Sequence, residues 1–227
     1  MTKFDYEQAG IPRLNTYVIS KSRAEYLVYK DLIRCLKNGI NKYAAGRVLD
    51  IGCGNKPYAP MFENKITEYV GCDVIQSSNF CVDVLSPADK IPLADSQFDT
   101  IFSTQTIEHV ANHQGMLDEA YRLLKPKGYA IVSGPMYWPL HEEPYDFFRF
   151  TKHGFRYILE KSGFTVVEIN SNGGKWSLLG QTLILTVPFV YKWSVIRYIS
   201  NAIFSKLDEK FYHDKNTMNY VVIAQKV

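Results

Sequence analysis

A chain of 227 residues, 46% hydrophobic and 22% charged, has the composition of an ordinary globular protein and the length of one sizeable domain, or of a domain with an appendage. Its net charge of +3 comes from scattered lysines and arginines with no basic run, which argues against nucleic acid as the main partner. Cys35, Cys53, Cys72 and Cys81 form no metal-type C-x-x-C pair, and the N-terminus lacks the apolar core of a signal peptide. Reduced thiols in a cytoplasmic protein are the expectation.

In chain order, residues 1–20 read as an irregular arm. Tyr26, Leu27, Tyr29, Leu32, Ile33 and Leu36 recur at helical spacing, so a helix is expected over 22–36, ended by Asn38-Gly39. Next comes the most informative segment, Arg47-Val-Leu-Asp-Ile-Gly-Cys-Gly-Asn-Lys-Pro57. A short apolar strand carries Asp50 and runs into Gly52-Cys53-Gly54, a loop where atoms approach the backbone closely because glycine has no Cβ. Further strands are expected at 68–72, 80–84, 99–103, 129–133 and 164–169, with a last one at 219–225. Helices are expected at 57–62, 113–124 and 152–161, the last with Thr151 as N-cap and Gly163 beyond its end. Short apolar strands alternating with helices predict an α/β fold with a doubly wound, mostly parallel sheet.

In such sheets ligands bind at the carboxyl ends of the strands, where strand order reverses. Acidic residues fall at two of those ends. Asp73, in Glu68-Tyr-Val-Gly-Cys-Asp73-Val74, follows the glycine loop by about twenty residues, where a carboxylate accepts hydrogen bonds from a ribose diol. Asp83, in Cys81-Val-Asp83-Val84-Leu85, ends the next strand. Nicotinamide enzymes use the same ribose device, but their fingerprint requires a third small residue where this chain has Pro57.

The motif D-I-G-C-G-N resembles the first motif of class I S-adenosylmethionine-dependent methyltransferases. The resemblance continues through Asp73, Asp83, Phe98-Asp-Thr-Ile-Phe-Ser-Thr-Gln-Thr-Ile-Glu-His-Val110 and Arg122-Leu-Leu-Lys-Pro-Lys-Gly-Tyr-Ala-Ile-Val-Ser-Gly-Pro135. It implies the seven-stranded Rossmann-like methyltransferase fold and S-adenosyl-L-methionine as cofactor, with S-adenosyl-L-homocysteine as product. The implied cofactor residues are Gly52, Cys53, Gly54, Asp73, Val74, Asp83, Val84, Thr104 and Gln105. Within this set Asp83 and Val84 lie at the adenine, where Leu85 and Ile91 are candidate flanks, and Thr104 and Gln105 lie beside the methionine half. Asp50 either accepts loop N–H groups or approaches the cofactor ammonium.

Methyl transfer to a hydroxyl needs a base. His109, oriented by Glu108 or another carboxylate, is one candidate. His141 is the other, in the aromatic loop that follows the fifth strand, Met136 to Thr151. Tyr137, Tyr145 and Arg149 of that loop are candidate acceptor residues. Some O-methyltransferases carry E-x-x-E-H and a divalent metal here; Gln105 stands at the first position of this chain, and no metal is expected.

Four segments are therefore expected. An arm and helix occupy 1–44, the S-adenosylmethionine-binding core 45–170, an apolar helical insertion 171–218, and the last core strand 219–227. Within 176–207, Trp193, Ile196, Ile199, Ile203 and Leu207 share a helical face, which suits a lid, a homodimer contact or a membrane surface. The run Trp176–Tyr191 is shorter than the roughly twenty residues of a spanning helix. The expected activity is methylation of a small-molecule acceptor, foremost O-methylation of a sugar or lipid-linked saccharide. The alternatives are C- or N-methylation of a quinone or lipid precursor, and a non-catalytic S-adenosylmethionine-binding regulator. The expected location is the cytoplasm, with a peripheral position at the inner face of the membrane as the variant.

Overall fold

The computed structural model describes residues 14–227; residues 1–13, most of the expected arm, lie outside them. Its centre is a seven-stranded sheet of β1 (Gly46–Ile51), β2 (Ile66–Asp73), β3 (Val84–Leu85), β4 (Phe98–Thr104), β5 (Leu124–Pro135), β6 (Phe164–Asn172) and β7 (Asn219–Lys226). The spatial order is β3-β2-β1-β4-β5-β7-β6. β1 to β5 pair in parallel, and β7 lies antiparallel between β5 and β6. Strand order reverses between β1 and β4, which opens a crevice beyond their carboxyl ends.

The central strands are buried on both faces, and their side chains sort by the period of two. Leu49, Ile101, Ala130, Val132 and Val222 face α2 (His113–Leu123) and α3 (Lys152–Lys161). Val48, Phe102, Ile131 and Ile223 face α1 (Tyr26–Tyr43), joined there by Phe62. The expected stop at Gly39 does not occur, and α1 runs on to Tyr43. A Cβ at Gly39 would lie 2.9 Å from Ile223 Cδ1. This glycine lets the helix settle onto the sheet rather than ending it.

Two other expectations shift. The helix at 57–62 is a 3-10 turn, Ala59–Phe62, with Pro60 at its start. The strand at 80–84 shrinks to the two residues of β3, because side chains hold 76–83 as a loop. Gln76 Oε1 accepts from Ser77 N and Val82 N, and Ser77 Oγ accepts from Cys81 N. Such side-chain bonds compete with the strand ladder. α3 begins and ends as expected, with Thr151 Oγ1 accepting from Gly154 N at 3.0 Å and Gly163 at φ +95°.

Residues 173–218 leave the sheet at the carboxyl end of β6 and return to β7, whose Asn219 pairs with both Asn172 and Pro135. They form α4 (Lys175–Thr186), α5 (Pro188–Lys192) and α6 (Ser194–Lys210). Ile184, Leu178 and Phe204 pack against Ala24, Leu27 and Val28, so the insertion covers the start of α1. A Cβ at Gly180 would lie 2.4 Å from Phe204 Cγ, which places the α4–α6 crossing there. No described helix is long and apolar enough to cross a membrane.

Candidate active site

The glycine loop is held from both sides. Gly52 N and Cys53 N donate to Cys72 O of β2 at 2.8 and 3.1 Å. Gly52 has φ +80°, and a Cβ there would lie 2.2 Å from Thr106 Oγ1, so the turn after β4 closes directly on it. Gly54 N donates to Asp73 Oδ2 at 3.0 Å, while Asp73 Oδ1 accepts from Ile75 N. The buried Asp73 thus fixes the loop from the end of β2.

Asp50 differs from its expected contact with the loop amides, which Cys72 and Asp73 take. It accepts instead from the Tyr69 hydroxyl at 2.7 Å. Burial pushes its carboxyl up to about 7, with the Tyr69 bond opposing and Asp73 reinforcing the rise. Asp83 precedes β3 rather than ending a strand. Its Oδ2 accepts from Gly71 N at 2.7 Å and from Lys56 Nζ at 2.5 Å, so it braces the loop across β2. Beside these acids, Val74 and Leu85 are exposed and half-buried Val84 pairs with Cys72, whereas Ile91 belongs to the core. On the opposite side of the crevice Ser133 gathers the end of β4. It lies 2.5 Å from Thr104 Oγ1 and accepts from Gln105 Nε2 at 3.2 Å.

A second cluster forms where the 3-10 turn Ile107–His109 meets the loop after β5. Phe147 N and Phe148 N donate to Glu108 O and pin the two segments together. His109 Nδ1 lies 2.9 Å from Tyr145 O. A carbonyl only accepts, so Nδ1 carries the proton and Nε2 keeps its lone pair. Nε2 lies 3.8 Å from Glu142 Oε2 and 3.9 Å from Glu108 Oε1. Burial lowers the pKa of His109 against the pull of Glu142, so the imidazole is neutral. His141 stacks edge-on to His109, ring centroids 4.8 Å apart. Its Nδ1 lies 3.1 Å from Asp146 Oδ2.

Arg149 anchors this arrangement. Its donors go to Asp146 Oδ1 and Oδ2 at 2.6 and 2.7 Å and to the carbonyls of Trp138, Pro139 and Phe148. A guanidinium has five N–H donors, and these bonds engage all of them. The expected role as receptor for an acceptor anion gives way to that of a loop clamp. Burial works against the charge on Asp146, but the Arg149 bonds and the His141 N–H hold its carboxyl well below the usual range. Glu108 is the opposite case: fully buried, with neither carboxyl oxygen bonded to another residue, it is pushed up to about 8 by burial, its own backbone N–H and Arg149 opposing. Tyr145 is half-buried beside His109, and Tyr137 is exposed with its N–H on Met218 O.

Residues 49–132 match the family model described as a methyltransferase domain. Those residues form a methyltransferase domain. An uncharacterised protein of Methanocaldococcus jannaschii is 30% identical over 108 residues, 47% of this chain and 51% of that protein. The ubiquinone biosynthesis O-methyltransferase of Rickettsia bellii is 27% identical over 126 residues, 51% of this chain and 50% of that enzyme. The chain thus spans about half the length of these relatives. Among solved structures, a SAM-dependent methyltransferase of Archaeoglobus fulgidus superposes with a TM-score of 0.60 at 21% identity, covering 89% of this chain and 97% of the other. One of Aquifex aeolicus gives 0.56 at 20% identity, covering 92% and 100%. These likenesses establish the shared fold.

The strand ends of the methyltransferase domain fit S-adenosylmethionine. A carboxylate has about four acceptor sites, so Asp73 can hold the loop and a ribose diol together. Exposed Val74 and Leu85 offer an apolar edge for adenine next to half-exposed Asp83. Among the described residues, the ligand atoms of Glu108, His109 and His141 lie within 4.8 Å of one another, a spacing that can hold a cation. Sequence reasoning missed Asp146, Ser133, Tyr69 and Lys56, which act through other residues. It also missed Tyr29 of α1, whose hydroxyl burial pushes up to about 12, with Glu25, Glu142 and Glu108 adding to the rise. Only a fold that lays α1 over the strand ends brings Tyr29 there.

Proposed function

We propose that the chain transfers a methyl group from S-adenosylmethionine to a hydroxyl of a small-molecule acceptor, with His109 as general base. The observation that carries this reading is the 2.9 Å contact of His109 Nδ1 with Tyr145 O, which leaves Nε2 as the basic nitrogen, while burial lowers the pKa of the ring. The cofactor supplies an activated methyl on a sulfonium, so the protein has to align the acceptor and exclude water. Gly54, Asp73, Asp83, Val74 and Val84 hold the nucleoside, with Gly52 and Cys53 shaping the loop. Thr104 and Gln105 line the methionine side. His109 Nε2 takes the hydroxyl proton as the oxygen attacks, and the imidazolium formed is stabilised by Glu142 at 3.8 Å. His141, fixed by Asp146, stands behind it, and Tyr145 and Tyr137 flank the acceptor.

The acceptor class we infer is a sugar or lipid-linked saccharide, because aromatic faces next to imidazoles and carboxylates suit a polyhydroxylated ring. The mechanism uses no metal. The test is transfer of labelled methyl to a panel of saccharide, quinol and amine acceptors, with and without a chelator. Saccharide methylation that persists with chelator and collapses in His109→Ala supports the reading. Amine or carbon methylation indifferent to His109→Ala overturns the base. Activity lost to chelator and restored by a divalent cation makes Glu108, His109 and His141 ligands instead. Cofactor binding without turnover on any acceptor leaves a regulatory protein.

A further inference from the structure

We propose that the α4–α6 insertion docks on an anionic lipid surface. α6 wears its amphipathic pattern inside out. Its buried positions are Asn201, Ser205 and Asp208. Asn201 Nδ2 donates to Lys21 O and Arg23 O at 2.6 and 2.9 Å. Asp208 accepts from the N–H groups of Gly174, Trp176 and Ser177 and from the Ser177 hydroxyl. The outward stripe is apolar: Val195, Ile199 and Ile203 at four-residue spacing, each at least half exposed. A helix on an ordinary water-facing surface shows the reverse. The expected face shared by Ile196 and Leu207 is only partly outward, since both are half-buried.

The apolar surface extends beyond α6. Leu179 and Leu183 are exposed on α4, and Phe189 (60% exposed) and Trp193 (57% exposed) stand together where the helices turn, ring centroids 6.2 Å apart. Paired aromatics of this kind sit well at the level of lipid headgroups. α4 and α6 are too short to cross a bilayer and are placed to lie on it.

Charge selects the partner. Helices α4 to α6 carry Lys175, Lys192, Arg197, Lys206 and Lys210 against two acids, of which Asp208 is buried at the start of α4 and Glu209 lies 3.8 Å from Lys30. A second copy docking face to face brings like charges together, whereas an anionic headgroup layer supplies the missing counter-charge. An open cleft of about 730 Å³ between α5, α6 and the segment that precedes α1 is lined by Arg23, Lys192 and Arg197, with Glu25 paired to Arg23 at 3.5 Å. It suits a phosphate headgroup. Beneath that face the insertion is tied to the acceptor side of the site, since Leu178, Leu185 and Val190 pack against the same buried cluster as Trp138 of the loop after β5. Docking therefore rests on the insertion's own residues and not on the methyl-transfer reading, but it favours an amphiphilic acceptor.

Sedimentation with large vesicles tests it, using phosphatidylcholine alone and phosphatidylcholine with one third phosphatidylglycerol. The expected result is partitioning onto the anionic vesicles that weakens as salt rises. Phe189→Ser with Trp193→Ser, and separately Lys192→Glu, reduce it at least tenfold, with circular dichroism and S-adenosylhomocysteine calorimetry unchanged. Absence of binding to anionic vesicles overturns the proposal. So does binding indifferent to these substitutions, and so does a dimer in analytical ultracentrifugation that the same substitutions dissolve.

Discussion

At His109, burial removes the proton that Glu142 would otherwise retain, and a carbonyl fixes which nitrogen is basic. A base acts in its neutral form, so the proposed role of His109 places the acid limb of the rate against pH below the ordinary value of 6.5. Glu142 raises that pKa, so Glu142→Gln moves the limb to still lower pH. A limb moving upward refutes the pairing. His109→Ala lowers kcat by roughly 10²–10⁴-fold on a hydroxyl acceptor, the usual worth of a positioned base. Glu108 carries a separate consequence for stability. Its folded carboxyl, held at about 8 by burial, keeps a proton that the unfolded chain releases near 4.5. Its contribution is therefore complete below 4.5 and is lost as pH rises through 8. Glu108→Gln, which never ionises, gains in Tm on the native protein between pH 5 and pH 9. A difference in Tm independent of pH overturns the assignment. Asp50 shifts the same way and remains in both proteins.

Among the elements, those with strong local signals were legible in the sequence. α3 follows from its Thr151 cap and Gly163, and the strands before and after it from short apolar runs. What misled were residues whose meaning is tertiary. Gly39 reads as a helix stop and is a packing contact with Ile223. Phe80 to Val84 read as a strand, but Gln76 and Ser77 hold that backbone as a loop. The site divides likewise: Gly52, Gly54, Asp73 and His109 stand out by spacing, while Arg149 looks like an anion receptor until its five donors are traced. Nor does spacing show that α4 is capped by a residue about thirty positions away. Asp208 of α6 accepts three N–H groups at the start of α4. Asp208→Ala leaves those groups buried and unpaired, each a penalty of about 1–3 kcal/mol where no water replaces the carboxylate. The expected result is a lower Tm and proteolytic cleavage within 187–194, with S-adenosylhomocysteine affinity kept because the glycine loop belongs to another part of the sheet. Unchanged proteolysis counts against the cap.

Over the whole molecule, the residues proposed to hold the cofactor come from segments that fold together only when the sheet closes. Asp73 at the end of β2 takes Gly54 N, Asp83 takes Gly71 N, and Thr106 after β4 fills the space over Gly52. A ligand that spans the ends of β1, β2 and β4 binds the folded chain and not the unfolded one, so it adds to global stability by mass action. At a hundredfold excess over Kd the gain is about 2.7 kcal/mol. For a chain of this size each kcal/mol raises Tm by about 2–4 °C, so S-adenosylhomocysteine should raise it by roughly 5–11 °C, and NAD at the same concentration by none. Asp73→Asn discriminates further. Its amide oxygen still accepts from Gly54, but its NH2 then faces the Ile75 N–H that the second carboxylate oxygen held, so the ligand-free Tm falls by the worth of about one hydrogen bond, ~1 kcal/mol. The charge that holds the ribose diol is gone, however, and the ligand-induced shift falls by at least half. If Asp73→Asn keeps the full shift, Asp73 serves the loop alone and the ribose is held elsewhere. If NAD matches S-adenosylhomocysteine, the crevice binds nucleotides without the selectivity that a methyltransferase needs.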